Sequence, residues 1–378
     1  MSSLNYDTVI VGGGIIGSSI AFQLAKRGAR VVMLEKEKMA SQASSAAAGM
    51  LGAQSEFSSD SPLIPLALKS RAMFPSVSEE LKQLTGIDIG LVQKGLVKIA
   101  FTDEEFDALQ EQYHFWDSRD AHVNWLDQHE LKQLERNVTE DFKGAMYIRN
   151  DGQVRAPDLS RAFSEAAKVY GAEMREHKEA ISLLKKKGRV NGVKTENETI
   201  YADSVVIAGG AWSAQLVKDT NLDLNMYPVK GECLSVLTET PLLETTMFSK
   251  DGCYIVPKQG NRLLIGATSI PHTFKKAVSV KGIYSLLKRA QMMIPKLSDA
   301  SLEKVWSGIR PQTEDGLPFM GEHPQIKGMW VATGHYRNGI LLSPITGVLF
   351  ADLIEGKQID FDLSSFQLTR NAKNIITT

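Results

Sequence analysis

Ten residues near the amino end, Thr8 to Gly17 (TVIVGGGIIG), constrain this chain more than any others. A β-branched run breaks at Gly12, Gly13 and Gly14, then resumes as an apolar stretch with Gly17 inside it. That is G-x-G-x-x-G written as strand, tight turn and helix. Gly12 permits the turn, Gly14 lets the backbone approach a pyrophosphate, and Gly17 lets the helix pack closely on the strand. The phosphates then rest on unpaired amides at a helix N-terminus, where the dipole favours anions. A strand-helix turn of no function has the same pattern, so the context decides. A second strand, Arg30 to Leu34, follows the helix and ends at Glu35, 18 residues after Gly17. A carboxylate there accepts hydrogen bonds from both ribose hydroxyls and repels a 2′-phosphate, which points to FAD or NAD rather than NADP.

The length of 378 residues predicts two domains and a large core. Lys plus Arg is 43 against 44 for Asp plus Glu, and the net charge of −1 offers nothing to nucleic acid or an anionic membrane. The one basic block, Lys185-Lys186-Lys187, reads as a solvated hairpin tip. No apolar run approaches the ~18 residues of a spanning helix. The start, MSSLNYD, enters a strand directly with no signal peptide visible, so the expected location is the cytoplasm. Two cysteines, Cys233 and Cys253, sit in strand-like apolar runs and read as buried free thiols in a reducing compartment. The seven histidines show no metal-ligand spacing, and no metal site is expected.

The predicted class is α/β: a Rossmann-type FAD-binding domain with a second, antiparallel-sheet-rich substrate domain. The small-residue run SQASSAAAGMLGAQ (41–54) reads as a linker or as backbone lying against a bulky cofactor. Helices are expected over 62–85, from Asp103, over Asp127 to Leu134, over 157–170 and over 279–294. A hairpin turns at Lys187-Gly188, and the strand Tyr201 to Gly210 runs into a second strand-to-helix crossing near the nucleotide. The strand expected over 302–309 ends at Arg310, with Pro311 stopping its ladder. The chain leaves the nucleotide domain and returns twice, giving 1–87, 153–226 and 311–378 to the FAD-binding domain and 88–152 and 227–310 to the substrate domain.

Taken together, TVIVGGGIIG, Glu35, AAAGMLG (46–52), PVKGECLSV (228–236), CYIVP (253–257), GIRP (308–311) and GHYRNGILLSPITG (334–347) resemble the glycine oxidases. Those enzymes belong to the D-amino-acid oxidase and sarcosine oxidase group of FAD enzymes. The likeness covers nearly the whole chain, and the GECLSV and GHYRNGILLSP blocks are its specific parts. It implies noncovalent FAD and a homotetramer. It implies oxidative deamination of glycine and other small primary or secondary amino acids to the 2-oxo acid, with O2 reduced to H2O2. It also implies a supply of imine for the thiamine thiazole. By the same likeness the cofactor meets Gly12, Gly14, Ile15, Ile16, Gly17, Glu35, Lys36, Ala43, Ser44, Ala48, Gly49 and Met50. It further meets Ala180 through its backbone, and the loop His335, Tyr336, Arg337, Asn338, Gly339, Ile340 and Leu341.

An amino-acid oxidase must fix a carboxylate, present a neutral amine and aim the Cα–H at the flavin. Arginine suits the first task because its planar fork grips a carboxylate bidentately. Arg310, in the GIRP block, is the candidate, against the alternative of an arginine salt-bridged at a strand end. Tyr254 is either a second carboxylate ligand or an ordinary core tyrosine. Arg337 is either a substrate-side arginine or a solvated loop residue. The helix after the loop would aim its amide end at the flavin N1–C2=O region, where charge develops on reduction. Pro344 must then lie in its first turn or kink it. His335 is a tempting base but reads better as a loop anchor, and none is needed if the amine binds neutral. Two positions depart from the family pattern, Ser269 where relatives often carry methionine and Gly252 where a histidine can occur, and both are expected near the substrate. No cysteine follows Cys253, which argues against covalent FAD. Three other readings stand beside this one: a sarcosine or small D-amino-acid oxidase of the same fold, a quinone-linked dehydrogenase, and a nucleotide-binding module without turnover.

Overall fold

Residues Asn5–Val11 form a central strand whose Tyr6, Thr8, Val9, Ile10 and Val11 are buried, on both faces, as in a parallel sheet covered on both sides. The computed structural model describes residues 5–120 and 122–370. Five strands of the first sheet run parallel in the order Met329–Thr333, Thr199–Ile207, Asn5–Val11, Val31–Leu34, Glu173–Arg175. Phe319–Glu322 adds antiparallel at one edge, and the hairpin Ser182–Lys186 with Arg189–Lys194 joins Thr199–Ile207. Lys187 and Gly188 turn that hairpin with φ of 50° and 73°.

Helix Ile15–Lys26 packs against this sheet between helices Ala156–Val169 and Gly339–Ile354, and helix Leu63–Thr85 closes the layer. Gly339–Ile354 continues from a short 3-10 turn, Tyr336–Asn338. The 19-residue stretch Tyr336–Ile354 has mean hydropathy 1.2, enough by length and composition to cross a membrane. This corrects the expectation that no run approaches that length. Most of its first three turns are buried in the core, where an all-round apolar helix belongs.

The second sheet is almost wholly antiparallel. Its order is Ile270–Pro271, Met226–Leu237, Arg262–Gly266, Tyr254–Lys258, Thr246–Ser249, Leu96–Ala100, Gly144–Ile148, Val123–Leu126, with Ser301–Thr313 also paired to Met226–Leu237. Among the described residues only Thr246–Ser249 and Leu96–Ala100 pair parallel in this sheet. Helix Asp103–Asp117 starts on a capping box, Thr102 accepting from the Glu105 amide and Glu105 answering to Thr102.

One expected strand end is corrected. Ser301–Thr313 does not stop at Arg310 but runs through Pro311, which pairs with Pro228. In an antiparallel ladder, opposite residues exchange both hydrogen bonds or neither. Two prolines at one rung place both missing amides where none is needed, so the ladder survives them. Arg310 therefore stands inside a strand, opposite Val229.

Candidate active site

A cavity of about 480 Å³ runs from the glycine-rich turn of the first sheet to the inner face of the second. Its walls carry Gly12, Gly14, Ile15 and Ile16 from the turn, Glu35 and Lys36 after the second strand, and Ala180. They also carry Ala43, Ser44, Ala48, Gly49 and Met50 from the small-residue run, and His335, Tyr336, Arg337, Asn338, Gly339, Ile340 and Leu341. Tyr254 and Arg310 stand at the far end. Among the expected cofactor positions, Gly17 lies outside these walls. A Cβ there would lie 2.1 Å from the Gly12 carbonyl oxygen, so it serves helix-strand packing.

The turn is shaped for an anion. Gly12 has φ of 115°, and a Cβ on it would come within 2.4 Å of the Ala208 carbonyl oxygen. Gly14 is different: its φ is −76° and a Cβ would meet Ser44 Oγ at 3.4 Å, an ordinary contact. Nothing in the protein demands glycine there, and the space lies open to the cavity. Gly14 caps helix Ile15–Lys26 with no side-chain hydrogen bond, and Asn338 caps Gly339–Ile354 in the same bare way. Neither helix has an acid in its first turn. Two helix N-termini thus face one cavity without internal anions, which fits the pyrophosphate and the electron-rich edge of a bound flavin dinucleotide.

Glu35 is buried, and part of its carboxylate is already used. It accepts from the Gly13 amide at 2.8 Å and the Glu37 amide at 2.9 Å. Ser44 Oγ accepts from the Ile15 amide at 2.9 Å, tying the small-residue run to the turn. The Lys36 ammonium lies 4.2 Å from the Trp212 ring centroid, a cation–π contact at the nucleotide end.

At the other end two side chains converge over the strand Met226–Leu237. Arg310 reaches in from Ser301–Thr313 and lies across Gly231, where a Cβ would come within 2.2 Å of Nη1. Tyr254 reaches across Gly266, where a Cβ would sit 2.4 Å from the phenol oxygen. Cys233, paired with Gly266, lies between them, its Sγ 3.5 Å from the Tyr254 hydroxyl. Among the described residues the hydrogen-bond partner of Arg310 is the Thr268 carbonyl at 3.2 Å, not a carboxylate. Burial drives the Tyr254 phenol well above its ordinary range, and the nearby Cys233 adds to this while Arg310 and Arg337 oppose it. The phenol stays protonated and can donate. Burial pushes His335 down to about 3, and its Nε2 lies 3.3 Å from Thr346 Oγ1. It is a neutral, anchored imidazole.

Arg337 pairs with Glu56, Nε to Oε2 3.3 Å, and its guanidinium lies 5.6 Å from the Phe248 ring centroid. Glu56 raises Arg337 above the usual guanidinium range, with burial opposing. Behind Phe248 the buried Lys98 donates to the Ser55 carbonyl at 3.1 Å and to Gln112. Desolvation lowers Lys98 to about 8.

Sequence reasoning did not reach Glu56, Cys233 as a wall residue, or the platforms Gly231 and Gly266. The glycines did carry a signal, since a lone glycine inside a strand marks a close approach. Glu56 carried none. Gly252 and Ser269 do not line the cavity; Gly252 turns the chain before Cys253 with φ of 87°.

Residues 7–353 match the family model described as FAD dependent oxidoreductase. The chain is 56% identical to the glycine oxidase of Geobacillus kaustophilus (strain HTA426), over 97% of each chain. The crystal structure of glycine oxidase from that organism superposes with a TM-score of 0.95 at 55% identity, covering 97% of this chain and 99% of that one. It is also 35% identical to the bifunctional protein ThiO/ThiG of Trichormus variabilis, over 98% of this chain and 56% of that protein. The chain belongs to the FAD dependent oxidoreductase family, takes FAD as its cofactor, and within that family resembles the glycine oxidases.

Proposed function

We propose that this protein oxidises glycine and other small amino acids, converting glycine, O2 and water to glyoxylate, ammonia and H2O2. Its likeness to glycine oxidases over nearly its full length supports the reaction. The observation that carries it is the pair Arg310 and Tyr254, laid flat over Gly231 and Gly266 at one end of the cavity, with no carboxylate among the described residues on Arg310. Bound FAD supplies a two-electron acceptor that O2 reoxidises. The chain supplies position. Arg310 takes the substrate carboxylate bidentately and the protonated Tyr254 hydroxyl donates to the same group. Arg337, held by Glu56, borders the substrate on the loop side. No side chain is assigned as base, because the amine reacts in its neutral form and His335 is anchored elsewhere.

We assign the noncovalent cofactor to the glycine turn, to Glu35 and Lys36, to 43–50, to Ala180 and to 335–341, on the shape of the cavity they line. The domain division proposed is 1–87, 153–226 and 311–378 against 88–152 and 227–310. A homotetramer rests on the resemblance and on exposed apolar side chains, Val280 88%, Tyr284 67% and Leu302 58% exposed. A cytoplasmic site of action rests on the free thiols Cys233 and Cys253. Likeness to ThiO/ThiG supports the thiamine thiazole role.

The test is an anaerobic titration of the FAD-loaded protein with glycine, sarcosine and D-alanine, following flavin absorbance. Glycine should bleach the flavin, and air should restore it with one H2O2 per turnover. Bleaching by sarcosine or D-alanine alone would move the substrate to a relative of the same fold. Bleaching without peroxide in air would mark a dehydrogenase, and no bleaching at all would mark a binding module.

A further inference from the structure

A second cleft, of about 630 Å³, lies on the other side of the small-residue run. Ala46, Ala47, Ala48 and Gly308 line both it and the cofactor cavity. Its other walls include the start of helix Ala156–Val169, strands Met226–Leu237, Tyr254–Lys258, Arg262–Gly266 and Ser301–Thr313, and the loop residue Lys276. The charges facing it are Arg155, Lys258, Arg262, Lys276 and Lys304 against only Asp158 and Glu303. Both acids are already engaged. Asp158 is 2.6 Å from Arg155, and Glu303 is held by Arg262 at 2.6 and 2.7 Å. Lys276 Nζ lies 4.0 Å from Glu37 Oε2, a loose and half-exposed pair.

That leaves Lys258 and Lys304 without a carboxylate among the described residues. Lys304 is exposed at the rim. Lys258 Nζ is desolvated and donates to the Val154 carbonyl at 2.9 Å and to the amide of Gln153. Two neutral acceptors solvate an ammonium without neutralising it. A concave surface with this excess of one charge focuses counter-ions.

We propose that this cleft binds a small multivalent oxyanion, a phosphate ester, pyrophosphate or di- or tricarboxylate, with Lys258 at its floor and Lys304 at its rim. The site is separate from the Arg310 carboxylate site, and its ligand is not the substrate. Desolvation first, and Arg155 second, bring Lys258 down to about 7. An anion favours the charged form, so binding takes up a proton above that pH. Affinity is then full below about pH 7 and declines as pH rises through it.

The experiment is isothermal titration of the FAD-loaded protein with pyrophosphate and, separately, citrate, at pH 6.5 and 8.5. Expected is one saturable site, weaker at pH 8.5, with proton uptake seen as a dependence of heat on buffer ionisation. Lys258→Gln and Lys304→Ser should each weaken binding about tenfold, the loss of one charge-assisted hydrogen bond. Lys304→Ser carries the test alone if Lys258→Gln does not fold. Arg310→Met should leave the site intact. Binding of pyrophosphate alone identifies a phosphate ligand, and of citrate alone a carboxylate one. The proposal is overturned by no saturable heat with either anion at millimolar concentration, by unchanged affinity in the folded lysine variants, or by loss of binding in Arg310→Met.

Discussion

Arg310 and Tyr254 lie flat because their neighbours are glycines, so each depends on a residue without a side chain. Arg310→Met should keep flavin and fold while losing glycine. Truncating one partner of a buried charge pair costs about 2–5 kcal/mol, or roughly 30- to several-thousandfold in affinity. It should also lose inhibition by glycolate, which tests the ground state alone. If Arg337→Met loses glycolate and Arg310→Met does not, the carboxylate has been placed at the wrong arginine. Tyr254→Phe should raise KM more than it lowers kcat, because a protonated phenol binds the carboxylate equally in ground and transition states. A several-hundredfold fall in kcat with KM unchanged would put the hydroxyl in the chemistry instead. Glu35 has a double duty that its place after a strand did not reveal. Beyond the ribose contact proposed for it, it holds the Gly13 and Glu37 amides. Glu35→Ala should therefore weaken FAD binding by more than the roughly 1.5–3 kcal/mol of ribose contacts alone. Glu35→Gln, which keeps one acceptor, should fall between, as equilibrium dialysis against FAD would show. Equal loss in the two variants would deny the turn any share.

At the scale of the element, Pro344 shows how a helix-breaking residue is accommodated. It sits inside Gly339–Ile354, where it removes the amide that would bond Ile340. The Ser343 hydroxyl fills that vacancy, donating to the Ile340 carbonyl at 2.8 Å. One residue on, Ser70 from the neighbouring helix donates to the Leu341 carbonyl at 2.6 Å and accepts from the Ile345 amide at 3.3 Å. Ser343→Ala should cost about 1–3 kcal/mol of stability by leaving a buried carbonyl bare. In a Pro344→Ala background the restored amide takes over, and the same serine change should cost much less. Additive losses in denaturant unfolding of the four proteins would refute this coupling. Pro311, in a strand of the second sheet, is absorbed differently, by facing Pro228 across a rung. Pro344 is accommodated by its sequence neighbour Ser343 with help from the distant Ser70, whereas Pro311 depends wholly on a distant strand.

Over the whole molecule, burial of ionisable groups makes stability depend on pH with opposing signs. His335 is pushed down to about 3, from an ordinary 6.5. Its contribution is present above pH 6.5 and is lost as pH falls toward 3, by on the order of 3–5 kcal/mol. Asp151, fully buried with Oδ2 lacking a partner among the described residues, is pushed up to about 6. Its contribution is full below 3.8 and is lost as pH rises through 6. Thermal unfolding of the holoprotein should therefore fall off below pH 6.5, less steeply in His335→Gln and more steeply in Asp151→Asn. A profile identical in wild type and His335→Gln would mean that the imidazole is not held neutral by burial.

The periodicities of the chain determined the layers: an all-apolar run for a covered parallel strand, acids at a helix start, a Lys-Gly hairpin tip. Local chemistry also marked the glycine turn and the loop at 335–341 as cavity walls, because each is a contiguous stretch whose own backbone lies against the cavity. Only the tertiary structure decided where Arg310 points, since Gly231 stands 79 positions away on another strand. It alone set Glu56 against Arg337, turned Gly252 and Ser269 away from the cavity, and gathered five cations around a second cleft. The physical reason is the same throughout. Backbone hydrogen bonding and apolar period act over a few residues, whereas ion pairing, desolvation and close approach are set by groups that meet only when the two sheets close on each other.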